Sequence, residues 1–181
     1  MPTPDDAPNV ANPDYWQFAN AAASRISQEF PESDVTANRL FVTLFRASSS
    51  VIYDFESSIH RPAGGTWASY RMLFALWVAG PLTPHRAAEL MGMSRAAVSN
   101  LAGNLESKGL LVKQASEEDG RSLILHLTET GQSKIQEIFA LQNSRENDWS
   151  QALTEQEREL LISLLDKIMD HRTVIGAKTR K

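Results

Sequence analysis

Residues 82–111 read LTPHRAAELMGMSRAAVSNLAGNLESKGLL, and this stretch decides the fold. Thr83 can cap a helix with Pro84 at its first position, where a missing N–H costs nothing. Gly92 ends that helix, Ser94 caps the next, and Gly109 stands where a left-handed terminator belongs. Two short helices joined by a glycine-containing turn form a helix-turn-helix signature. In the second helix Val98, Leu101 and Leu105 share one face at about 100° per residue and are expected to pack inward. The opposite face carries Ala96, Ser99, Asn100, Gly103 and Ser107, with Arg95 in the first turn. That face is small, polar and nearly without acid. A helix entering a major groove needs this, because bulk would hold it off the bases and carboxylates would meet phosphate. Its N-terminus would also direct free N–H groups at phosphate. A merely solvent-facing stripe would more usually carry Lys and Glu.

Downstream, LVKQ (111–114) and SLILHL (122–127) bracket a polar, glycine-containing turn and read as a β-hairpin. Thr128 can cap a helix running to about Trp149. TEQE at 154–157 is a capping box, and the helix it starts carries Leu160, Leu161, Leu164, Leu165, Ile168 and Met169 as one apolar stripe. Upstream, Asp14 to Phe30 fits a helix stopped by Pro31. Asp34 fits the N-cap of a long helix bearing Leu40, Leu44, Val51, Phe55 and Ile59, which RPAGG at 61–65 breaks. A short apolar helix at about 67–79 ends at Gly80-Pro81. The terminal helices are too long and too apolar to bury their stripes against one small central unit, so a two-fold partner is the natural cover. Ordinary monomer core is the alternative.

The chain has 181 residues, no cysteine and a net charge of −4. The missing cysteines exclude disulfides, thiolate metal sites and thiol nucleophiles. An acidic protein repels DNA on average, so any DNA binding must come from local geometry. Basic residues gather at the end (Lys167, Arg172, Lys178, Arg180, Lys181), where a solvated, frayed tail is the plain reading. The N-terminus, MPTPDDAPNVANPDYW, lacks the charged and apolar regions of a signal peptide, and the longest apolar stretch is too short to span a bilayer. The expectation is a cytoplasmic protein without membrane association. His60, His85, His126 and His171 show no metal-ligand spacing, and phosphate-loop, nucleophile-elbow and dinucleotide patterns are missing. No enzyme, cofactor or metal is expected.

With these pieces in order, the sequence resembles the MarR family of winged helix-turn-helix regulators from about Val35 to Leu165. The family pattern has a small, hydroxyl-rich recognition helix ending in L-E-x-x-G-L-[VI], here Leu105-Glu106-Ser107-Lys108-Gly109-Leu110-Leu111. A hairpin with D-x-R follows, here Asp119-Gly120-Arg121. Then come an apolar strand and L-T-x-x-G, here Leu127-Thr128-Glu129-Thr130-Gly131. The resemblance implies a mainly α fold with a small β-hairpin wing, flanked by N- and C-terminal dimerisation helices. It divides the chain into a disordered 1–13, an extra helix 14–33 and a dimerisation helix 34–66. A DNA-binding domain 67–131, C-terminal dimerisation helices 132–175 and a basic tail 176–181 follow. It further implies a homodimer on a pseudo-palindromic operator, acting as a repressor.

In the family the wing-tip arginine enters the minor groove and the aspartate two residues earlier positions it. Arg121 and Asp119 would take those roles. A guanidinium suits narrow A·T-rich grooves, and a carboxylate can orient it; a surface ion pair is the plain alternative. Thr83, His85, Arg86, Ser94 and Ser99 would contact phosphate and set register. Arg95, Ala96, Asn104, Lys113 and Ser122 complete the implied DNA contacts. Many members carry Arg or Lys where Asn100 and Asn104 stand. Asparagine pairs bidentately with adenine, so Asn100 is expected to read an adenine in each half-site.

Family members often respond to small aromatic or phenolic anions. By resemblance, the lining here would come from Phe45, Ser49, Tyr53, Trp67, Tyr70, Arg71 and Phe74, though aromatics at this spacing also read as plain core. A urate-responsive subgroup carries an extra helix with a tryptophan, and an acid on the dimerisation helix. Trp16 and Glu56 fall in roughly corresponding places, whereas packing of Trp16 and Phe18 onto the dimer is the simpler reading. A winged-helix module for protein contact without DNA binding is the alternative function.

Overall fold

Pro84 and the caps that flank it set the frame. The computed structural model describes residues 15–115 and 122–178, in two compact units divided between Tyr53 and Asp54.

The first unit holds α1 (Tyr15–Glu29) and most of α2 (Val35–Phe55). Asp34 caps α2 as its position implies, its carboxylate accepting from the Ala37 N–H at 2.9 Å. The Tyr15 hydroxyl donates to the Val42 carbonyl, and the Arg46 guanidinium lies 5.4 Å over the Tyr15 ring. No residue of α1 is buried, and Trp16, Phe18, Phe41, Phe45 and Tyr53 are exposed.

The second unit begins with a departure from the sequence reading. The helix expected to run through Ile59 stops being α at Phe55, and Glu56–His60 form one π turn closed by Arg61 N–H to Glu56 O at 2.9 Å. The Ser57 and Ser58 hydroxyls both donate to the Asp54 carbonyl, competing for the acceptor that an α turn would use. Of the expected stripe only Phe55 and Ile59 are buried; Leu40 is exposed.

Three helices follow: α3 (Trp67–Ala79), α4 (Pro84–Met91) and α5 (Arg95–Ser107). The strands β1 (Leu111–Ala115) and β2 (Leu123–Leu127) pair antiparallel with Leu111 opposite Leu127, and Leu82 bridges to Leu125 as a short third rung. Helices α6 (Glu129–Ser150) and α7 (Glu155–Val174) close the chain. Met72, Leu73 and Leu76 of α3 form the core with Met91, Val98, Leu105, Leu111, Leu125 and Ile135. Ala102, not Leu101, takes the third buried place on α5, beside Val98 and Leu105, while Leu101 is half-buried. Asp54 anchors α6: it accepts from Arg145 Nε at 2.7 Å, Arg145 Nη2 at 3.0 Å and Trp149 Nε1 at 2.8 Å. Helix α7 has the predicted capping box, Thr154 with Glu157, yet none of its residues is buried.

Candidate nucleic-acid interface

The geometry of α4 and α5 follows from their caps. Thr83 accepts from Arg86 N–H at 3.2 Å, and Ser94 accepts from Ala97 N–H at 3.3 Å. Between them Gly92 sits at φ +60°, a left-handed conformation that turns the chain sharply. Both cap hydroxyls already serve an orphan N–H as acceptors and keep a proton to donate. On α5, Arg95, Ala96, Ser99, Asn100 and Asn104 are exposed, while Val98, Ala102 and Leu105 are buried. Ala96, Asn100, Gly103, Asn104 and Ser107 form one stripe on this helix.

Two of the cations around that stripe, Arg86 and Lys113, are paired with carboxylates. On α4 Arg86 pairs with Glu89 at 2.9 Å and His85 approaches the same carboxylate at 3.6 Å. The Glu89 carboxyl is held below its ordinary range, first by the hydrogen bond from Arg86 and then by the charges of His85, Arg86 and Arg95. Lys113 on β1 reaches back to Glu106 on α5 at 2.8 Å, and that hydrogen bond likewise pulls the Glu106 carboxyl down. Lys108 donates to the Gly64 carbonyl at 3.0 Å. Ser122 stands half-buried just before β2. Asp119 and Arg121 lie outside the described residues.

The residues expected to line a ligand site divide between the two units. Phe45, Ser49, Tyr53 and Trp16 are exposed in the first. In the second, Trp67, Tyr70 and Phe74 join one aromatic stack, with Tyr70 5.7 Å from both neighbours. The stack continues to Phe139 and Trp77, and at its other end to His60, 4.8 Å from Tyr70. His60 was not among the expected site residues; it is 1% exposed and neither ring nitrogen has a hydrogen-bond partner among the described residues. Burial pushes its imidazole below its ordinary value. Two of the charged residues expected at the ligand have structural work. Arg71 donates to the Met91 carbonyl at the end of α4. Glu56 accepts from Arg61 and from the first N–H of α3, Trp67 N–H, at 3.3 Å. A cleft of about 310 Å³ that sequence reasoning did not foresee opens beside Trp77, Pro81, His126 and Gln132.

A capped two-helix unit, a terminating glycine and an antiparallel hairpin bridged to Leu82 define a winged helix-turn-helix protein. The family model of the MarR family matches residues 64–122. The chain is 28% identical over 149 residues to the HTH-type transcriptional regulator YwaE of Bacillus subtilis, covering 82% of this chain and 87% of that one. A solved structure of the transcriptional repressor CouR bound to a 23-mer DNA duplex is 30% identical, with a TM-score of 0.65 over 70% of this chain and 89% of CouR. NadR in complex with 4-hydroxyphenylacetate shares the fold at 24% identity and a TM-score of 0.62, over 70% of this chain and 89% of that one. The chain belongs to the MarR family and is a transcriptional regulator of that type.

Proposed function

We propose that this regulator is a homodimer that binds a pseudo-palindromic operator in double-stranded DNA, represses transcription there, and is released by a small aromatic or phenolic ligand. The observation that carries the reading is the outward stripe of α5: exposed, small and, from Arg95 to Asn104, free of carboxylates. Such a surface suits base edges in a major groove. Ser94, Ser99 and Thr83 would hold phosphates as donors, with Arg95 beside the N-terminal turn. Ala96, Asn100 and Asn104 would face bases, and Lys113, Ser122, Asp119 and Arg121 would act from the wing. His85 and Arg86 would reach phosphate by exchanging Glu89 for it. The DNA-bound CouR complex supports the interface by relationship.

Uncovered apolar side chains on α7, including Leu160, Leu161 and Leu164, support a partner subunit. For the ligand, support comes from the stack of Trp67, Tyr70 and Phe74 and, by fold analogy alone, from the ligand in NadR. The self-paired cations favour one second reading, a winged-helix module for protein contact. A gel shift on DNA immediately upstream of the protein's own gene, against excess random DNA, separates the two. The DNA reading expects a specific shift, weakened in Arg121→Ala; a shift that random DNA abolishes equally would leave the protein-contact reading.

A further inference from the structure

The DNA face carries fewer free cations than its residue types suggest. On α4, α5 and β1, His85 and Arg86 are engaged by Glu89, and Lys113 by Glu106. Among the described residues of these three elements, Arg95 alone has no carboxylate at ion-pair distance, and it sits at the edge of the stripe in the first turn. A guanidinium or ammonium reads guanine through O6 and N7. Here such groups near the stripe, Arg95 apart, already hold acids. The unengaged polar groups at its centre are two carboxamides, Asn100 and Asn104. Both are exposed, and neither makes a side-chain hydrogen bond among the described residues.

We infer that Asn100 and Asn104 each read one adenine per half-site, and that this pair of amides, not the cations, supplies the base discrimination of the recognition helix. The inference rests on the DNA-binding reading above. A carboxamide presents one donor and one acceptor in a plane, the complement of adenine N7 and N6–H₂; guanine offers two acceptors there and leaves the amide oxygen unpaired. Four helical residues rise about 6 Å, close to two base-pair steps of about 3.4 Å. The two adenines are therefore adjacent or separated by one base pair. Ala96 and Gly103 on the same stripe keep its profile low, so both amides can approach the groove floor.

The test is selection from a random double-stranded DNA library with the full chain, as wild type, Asn100→Ala and Asn104→Ala. The enriched duplex is then titrated with each protein. Alanine favours helix and both sites are exposed, so the melting temperature should not fall. The expected result is two adenines per half-site, each lost as a preference in one variant and kept in the other. Affinity for the wild-type duplex should fall about 5- to 150-fold per variant. A wild-type motif without adenine at positions sensitive to either variant would overturn the inference and leave the DNA-binding reading standing, as would variants that select the unchanged motif. No enriched sequence for wild type would overturn both.

Discussion

The Thr128 hydroxyl donates to the Gly109 carbonyl at 2.7 Å, tying the start of α6 to the end of the recognition helix. The same oxygen accepts from Gly131 N–H at 2.9 Å, and Thr128 N–H donates to the Leu110 carbonyl at 3.2 Å. The two family motifs, L-E-x-x-G-L and L-T-x-x-G, are thus halves of one joint. Gly109 turns at φ +68°, and Gly131 passes so close to the Leu110 carbonyl that a Cβ would overlap it.

Thr128→Ala should therefore cost about 1–2 kcal/mol through the lost cap and tether. Gly131→Ala should cost about 1–3 kcal/mol through overpacking against backbone that cannot yield. Denaturant unfolding with an unchanged slope checks both. Wild-type stability in Gly131→Ala would refute the close approach.

Glu89 pairs with Arg86 and lies 3.6 Å from the His85 imidazole on α4. Glu89→Gln should free Arg86 and His85 and tighten binding to non-specific DNA. The fall of log K with log salt should steepen by about 0.9 for each further phosphate that the freed cations neutralise. A salt titration by fluorescence anisotropy measures this. An unchanged slope would mean that these side chains do not face the duplex.

His60 is a buried imidazole whose ring nitrogens have no partner among the described residues, so an apolar ring should replace it without penalty. His60→Phe is expected to be as stable as wild type or more so at pH 7. The sign of the pH effect follows from its lowered value in the fold. The unfolded chain, with an ordinary value of 6.5, takes up the proton first, so wild-type stability falls as pH drops below 6.5. His60→Phe should lose that component of the acid sensitivity. Unfolding midpoints followed from about pH 7.5 to about pH 5 decide it, and parallel curves for the two proteins would count against a buried neutral imidazole.

Leu164 lies on the uncovered face of α7, 46% exposed. Light scattering should give the mass of two chains for wild type and of one for Leu164→Glu, with operator binding lost in parallel. A monomeric wild type would remove the dimer from the proposal.

The parts of the fold legible in the sequence are those fixed locally. Thr83, Ser94, Thr128 and Thr154 each cap the helix that follows, because a cap needs only a hydroxyl and a free N–H two or three residues on. The hairpin also follows from its flanking apolar runs. The π turn at Glu56–His60 was not legible, since it depends on how two serine hydroxyls compete for one carbonyl. Nor were the ion pairs beside α5. Lys113 meets Glu106 only after the chain reverses at Gly109, and spacing along the sequence does not reveal that pair. The burial of His60 was hidden for the same reason: its stacking on Tyr70 depends on the packing of α3 beside the π turn.

The most direct test is the ratio of dissociation constants for an operator duplex and a scrambled duplex, measured by fluorescence anisotropy at physiological salt. The operator is taken from the upstream region or from library selection. A dimeric, sequence-specific regulator predicts a ratio of about 10³ or more with two chains per duplex. A ratio near one, with affinity set by salt alone, would contradict sequence-specific DNA binding by this protein.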